Sequence, residues 1–174
     1  GDMNDEEMNS LYNHPKVKSM ISFTKGEGFG RPLAEFAMTG KPIIASNWSG
    51  QLDFLEKDYC TLLPGQLNEV DPSAQDRFVI KGSKWFTVDY GTASRVLQDC
   101  MKNYKVYIER SRKMPQHMKD NFSRNKMSEI LCKLVDKGLE GVPQQVGLTL
   151  PKLKKVANTM APSIKLPKLK KVEA

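Results

Sequence analysis

Residues 17–46 read V-K-S-M-I-S-F-T-K-G-E-G-F-G-R-P-L-A-E-F-A-M-T-G-K-P-I-I-A-S, and the order of residue types along them decides the fold. Val17 to Phe23 is a short apolar run of strand character. The segment after it, from Gly26 to Gly30, is a glycine-rich turn. Pro32 then suits the opening of a helix, because its fixed φ is already helical and its missing N–H has no partner to lose there. Leu33, Ala34, Phe36, Ala37 and Met38 make that helix apolar on more than one face, which predicts burial against a sheet. Gly40 closes it, and Pro42-Ile43-Ile44-Ala45-Ser46 is a second strand with turn residues Asn47, Ser49 and Gly50 behind it. Strand, turn, helix and strand joined by a few residues predict parallel neighbours, because parallel strands need a crossover. The expected fold class is therefore α/β, a Rossmann-like parallel sheet flanked by helices.

Working outward, Asp5-Glu6-Glu7 puts acids in the first turn of a short helix whose stripe is Met8, Leu11 and Tyr12, and Pro15 marks its limit. On the other side, Gln51–Leu55 reads as a helical turn and Cys60–Leu63 as a strand. Residues 64–84, rich in Pro, Gly, Asp and Ser, read as an irregular excursion that ends at the strand-like Trp85–Val88. From Thr92 to Gly138 the period is helical. Val96, Cys100 and Met101, then Tyr104, Tyr107 and Ile108, then Met127, Ile130, Leu131 and Leu134 form the stripes of packing helices. Ser123 is the expected N-cap of the last helix and Gly138 its C-cap.

The net charge of +7 over 174 residues is concentrated at one end. Residues 150–174 hold seven lysines against Glu173, while the other 149 residues carry 20 basic and 19 acidic side chains. The same tail repeats Leu150–Val156, L-P-K-L-K-K-V, as Leu166–Val172. The prolines of each copy argue against a long helix, so the tail is expected to be disordered or an extended clamp. Cys60, Cys100 and Cys132 are scattered and odd in number, which predicts reduced thiols and a cytoplasmic compartment. No apolar run approaches the ~18 residues of a membrane span, and the acidic start is unlike a signal peptide.

The glycine-rich turn is the segment suited to chemistry. Gly28 and Gly30 let the backbone approach a ligand, and N–H groups at a helix start attract an anion. Lys25 and Arg31 flank the turn with full charges. Backbone dipoles of this kind stabilise a departing diphosphate without a metal ion. Glu27 and Glu35, one before the helix and one inside it, can act on different parts of one bound molecule. The spacing alone is equally compatible with an ordinary turn between a strand and a helix.

Glu27-Gly28-Phe29-Gly30-Arg31-Pro32-Leu33-Ala34-Glu35, followed by Gly40–Ser46 and Gly50, resembles the E-x7-E motif and succeeding strand of family 4 glycosyltransferases with the GT-B fold. The likeness runs more weakly through Trp85-Phe86 and the Phe122-Ser123 helix, and so covers roughly residues 5–138. Asn13–Lys18 and Asn47–Gly50 resemble versions found in large tailed bacteriophages, which implies the cytoplasm of an infected bacterium. The resemblance implies the C-terminal, donor-binding half of a retaining enzyme acting on a nucleotide-diphosphate sugar, with an unknown acceptor and no cofactor or metal. It implies that Glu35 binds the ribose hydroxyls and that Glu27 is the catalytic carboxylate beside the donor sugar. The backbone of Gly28, Phe29 and Gly30 would meet sugar hydroxyls and diphosphate, and the Ser49-Gly50 turn would touch the donor as well.

The expected organisation is a donor-binding domain over residues 1–140, incomplete at its N-terminus, and a Lys-rich tail over 141–174. An acceptor-binding domain of the GT-B type is not encoded in these residues, so the isolated chain is expected not to turn over. One rival is a catalytically inactive module of the same fold whose repeated tail docks on a protein partner or a phosphate-rich surface. A nucleic-acid-binding protein is the other, and the tail's lack of aromatic residues counts against it. His14, His117 and Trp85 read as capping, surface or packing residues, and Trp48 as packing or a stacking platform.

Overall fold

The computed structural model describes residues 2–142. The chain divides into two units, Gly1–Gly138 and Leu139–Ala174. The repeated Lys-rich tail and its expected partner contacts lie outside the described residues.

Three short strands, β1 (Met20–Ser22), β2 (Ile43–Ser46) and β3 (Thr61–Leu63), form a parallel sheet in that order. Register pairs Ile21 with Ile44 and Ala45 with Leu62. The strand expected over Val17–Phe23 is only three residues long, because pairing begins where Met20 N–H reaches Pro42 C=O. β2 is buried at every position, as a central strand covered on both faces must be. Its Ile43 and Ala45 join Leu33, Phe36 and Ala37 of α2 (Arg31–Ala37) on one side. Phe54, Leu55, Met114 and Met118 complete that core. On the other side Ile44 joins Leu63, Phe86, Val88, Ala93 and Cys100 in a second core.

α1 (Asp5–Asn13) starts at a reciprocal capping box that the sequence reading passed over. Asn4 Oδ1 accepts from Glu7 N–H, and the Glu7 carboxylate accepts from Asn4 N–H, both at 2.9 Å. Its last carbonyls are satisfied by Lys41, whose Nζ donates to Tyr12 O at 2.6 Å and His14 O at 2.9 Å. Burial and the neighbouring Lys18 hold the Lys41 ammonium below its ordinary range. The structure thus fixes α1 beside α2.

Residues 64–84 are more regular than their composition predicted. β4 (Gly65–Glu69) pairs antiparallel with β5 (Lys84–Val88), so Trp85–Val88 belongs to a separate ribbon and not to the parallel sheet. Gly65 makes this possible, since a β-carbon there would lie 2.7 Å from the Phe86 ring. Four helices follow: α3 (Tyr90–Lys102), α4 (Tyr104–Ser111), α5 (Met114–Phe122) and α6 (Arg124–Leu139). Asp89 caps α3 by accepting from Thr92 N–H, and the hydrogen bonds from the Thr92 side chain and then its backbone hold the Asp89 carboxyl below its ordinary range.

Three helical expectations are corrected. Met101 is 84 % exposed, because Cys100 and Ala93 carry the buried side of α3. α6 buries none of its residues among those described, so Met127, Ile130, Leu131 and Leu134 form an exposed stripe and not a packed one. Ser123 Oγ does accept from Lys126 N–H, as an N-cap should, but Gly138 lies inside α6 and the left-handed glycine is Gly141 at φ 88°. No described helix is long and apolar enough to cross a membrane.

The cysteines test this packing. Cys60 and Cys100 are buried, and burial pushes the Cys60 thiol up to about 12, whereas Cys132 is exposed on α6. A thiol reagent added to the native chain is expected to label one cysteine rapidly and all three in urea. Rapid native labelling of Cys60 would contradict the core.

Candidate functional site

The glycine-rich turn is held by the loop after β2. Ser49 Oγ donates to Glu27 C=O at 2.6 Å and accepts Glu27 N–H at 2.9 Å, while Gly50 N–H donates to the same carbonyl at 3.0 Å. Ser49 adopts φ 78°, unusual for a residue with a side chain, and that conformation delivers its hydroxyl to the turn. Gly50 approaches so closely that a β-carbon would overlap the Gly28 carbonyl and lie 2.9 Å from Glu27 O. Ser49 and Gly50 therefore shape the turn with groups the resemblance assigned to the donor. The Gly50 amide in particular is engaged within the protein.

Gln51, next to the Ser49-Gly50 turn, is fully buried and donates from Nε2 to Ser46 O at 3.1 Å and Ser46 Oγ at 3.0 Å. Asp53 faces solvent. Gly30 sits against Gln51 with φ 83°, the left-handed conformation from which α2 starts without a side-chain cap. By contrast, nothing lies within 4 Å of a β-carbon placed on Gly28. Phe29 is 44 % exposed and rests its ring 5.0 Å from that of buried Phe54. The Glu27 carboxylate makes no hydrogen bond or ion pair among the described residues and is half-buried.

Beyond the turn, Arg31 Nε and Glu35 Oε1 pair at 2.6 Å, one helical turn apart on α2. That hydrogen bond and charge push the Arg31 guanidinium up. Both residues line a groove of about 580 Å³ between α1 and α2, together with Met3, Met8, Tyr12, Pro32 and Met38. Burial, and then the Glu35 charge, raises the Tyr12 hydroxyl. The groove combines an apolar wall of three methionines and a tyrosine with two carboxylates, Asp5 and Glu35, and the Arg31 guanidinium. Met3 and Met38 were not read as site residues. The Asn4-x-x-Glu7 box was the available signal, since it fixes where α1 begins and hence which face meets α2.

On the near side of the turn, Lys25 Nζ lies 3.5 Å from Thr87 Oγ1 and 5.8 Å from the centre of the Trp85 ring. Phe86 N–H donates to Lys25 C=O, which ties β5 to the turn. Trp48 stacks on Phe86 at 5.7 Å with 5° between planes and remains 39 % exposed. His117, read as a residue of a charged helix face, is 11 % exposed instead, with its ring 5.2 Å from Tyr59 and its Nε2 3.6 Å from Glu56. It sits on α5, with its ring 5.9 Å from that of Phe122. All nine residues expected at the site thus fall along one loop, the start of α2 and the loop after β2. Compared with protein families, curated proteins and solved structures, the chain matches none.

Proposed function

We propose that this chain is the donor-binding part of a retaining glycosyltransferase of the GT-B type, acting on a nucleotide-diphosphate sugar. The observation that carries the reading is the groove between α1 and α2 with Glu35 on its rim. A carboxylate accepts two hydrogen bonds and so suits the vicinal diol of a ribose. Methionines and a tyrosine offer an adaptable apolar wall to a nucleobase. Arg31 is held one turn away, where it meets negative charge on the same ligand. The turn from Glu27 to Gly30 then takes the diphosphate and sugar, with Gly28 open to close approach. Transfer proceeds by attack on the face the diphosphate leaves, with Glu27 beside the sugar and no covalent sugar–enzyme bond. Diphosphate departure is stabilised by backbone N–H groups and the flanking cations Lys25 and Arg31.

Titration of the chain with UDP-, GDP- and ADP-glucose is expected to show saturable binding to one of them. Glu35→Ala should weaken it about tenfold, the value of one or two hydrogen bonds to a charged group. Because the Arg31–Glu35 pair is exposed, its loss should leave the unfolding midpoint nearly unchanged. Absence of binding to all three nucleotides, or binding indifferent to Glu35→Ala, would remove the reading.

A further inference from the structure

The antiparallel ribbon carries a second groove, of about 520 Å³, on the other flank of the glycine-rich turn. Its residues alternate by strand geometry. Phe86 and Val88 point into the second core, so the opposite face of the ribbon carries Gln66 and Asn68 of β4 with Trp85 and Thr87 of β5. Register sets Gln66 across from Thr87 and Asn68 across from Trp85. Gln66, Asn68, Thr87, Asp89, Tyr90 and Thr92 supply the polar lining.

The chemistry of this lining is selective. Side-chain amides both donate and accept, as sugar hydroxyls do. The side chains of Gln66, Asn68 and Tyr90 form no hydrogen bond among the described residues, and Tyr90 is 62 % exposed. The Lys25 ammonium at the Thr87 wall is offset by the Asp89 carboxylate that caps α3, and no lining residue is itself basic, so the groove lacks the cluster of cations that a nucleic-acid ligand needs. Exposed ribbon faces that only need solubility carry lysine and glutamate, whereas this one presents amides, a hydroxyl and a partly exposed tryptophan.

We propose that this ribbon face binds a neutral oligosaccharide, with the Tyr90 ring stacking on a sugar and Gln66 and Asn68 bonding its hydroxyls. Lys25, which flanks the turn, reaches Thr87 on the groove's wall, so the turn has a nucleotide-type groove at one end and a saccharide groove at the other. An acceptor role for this face, supplementary to a separate acceptor-binding domain, rests on the glycosyltransferase reading; saccharide binding itself does not.

The test is an amide-resolved NMR titration of the full chain with maltotriose, cellotriose and chitotriose. At least one is expected to shift the side-chain amides of Gln66 and Asn68 and the backbone amides of Thr87 and Tyr90. Asn68→Ala and Tyr90→Ala should each weaken that binding about fivefold. Both residues are exposed, so the unfolding midpoint should hold, and nucleotide-sugar affinity should not change. No shift with any of the three sugars, shifts confined to the Glu35 groove, shifts that survive both substitutions, or the same shifts with inorganic phosphate or an extended peptide would overturn the proposal. Sugar binding here without nucleotide-sugar binding would leave the groove and remove the transferase reading. The reverse result would keep the reading and remove the groove.

Discussion

Gly50→Ala is expected to lower unfolding stability by about 3 kcal/mol, and Gly28→Ala by less than about 0.5 kcal/mol, although both glycines belong to the same pair of loops. The difference lies in what surrounds each α-carbon. A β-carbon at Gly50 would overlap the Gly28 carbonyl and crowd Glu27 O, and both obstacles are backbone that no side-chain rotation can clear. Relief requires separating the loops, which breaks the Gly50 N–H to Glu27 C=O bond and pulls the Ser49 hydroxyl from the same residue. In a domain of ordinary marginal stability, a loss of that size is a large fraction of the whole. A β-carbon at Gly28 would have nothing within 4 Å, so its substitution leaves the fold alone and places a methyl group where a ligand would approach. Urea unfolding of the two variants, each followed by nucleotide-sugar titration, checks both halves. Gly28→Ala should fold normally and bind weakly. Equal unfolding midpoints for the two would show that the loops are not clamped as described.

The same pair of glycines shows what the sequence made legible. The turn, its position between a strand and a helix, and the parallel sheet followed from local pattern, because Pro32, Gly40 and the apolar run at Ile43–Ile44 act within a few residues of themselves. Gly50 was read as a ligand contact because the backbone amides of the Ser49-Gly50 turn could meet a donor. Its packing role depends on the approach of a backbone more than twenty residues away, which no local pattern encodes. β4 was missed for a related reason. Gln66, Asn68 and Glu69 have low strand propensity, and they pair because β5 offers a partner whose Phe86 and Val88 are already buried. The Met127–Leu134 stripe illustrates the opposite error, since an amphipathic pattern says that a helix has an apolar face without saying what covers it. Groove chemistry was the least legible part. Tyr90 and Asn68 belong to different elements and share no motif, and only the fold of the ribbon against α3 brings them to one surface.

Phe54→Ala is expected to cost about 3–5 kcal/mol, the largest single loss at a site-supporting residue, and to weaken donor binding even under conditions where the chain remains folded. Phe54 is fully buried just after the turn of 3₁₀-helix at Gly50–Asp53, and its ring meets Phe29 from the glycine-rich turn at 5.0 Å and Phe122 from the end of α5 at 6.1 Å. Deleting it opens a cavity beneath the tip of the turn and at the end of α5 at once. Phe29→Ala alone removes a ring that is already 44 % exposed, so its cost should be nearer 1 kcal/mol. The two rings share one contact, and a double-mutant cycle should return a coupling of about 0.5–1.5 kcal/mol. Phe54→Leu keeps most of the volume and provides a folded variant for binding measurements if the alanine variant unfolds. In that variant the Phe29 ring loses its aromatic partner while Ser49 still clamps Glu27. A nucleotide-sugar affinity that falls in Phe54→Leu shows that the core holds the turn in its binding shape. If affinity is unchanged while stability drops, the Ser49–Glu27 clamp alone sets that shape and the aromatic contact serves only the fold.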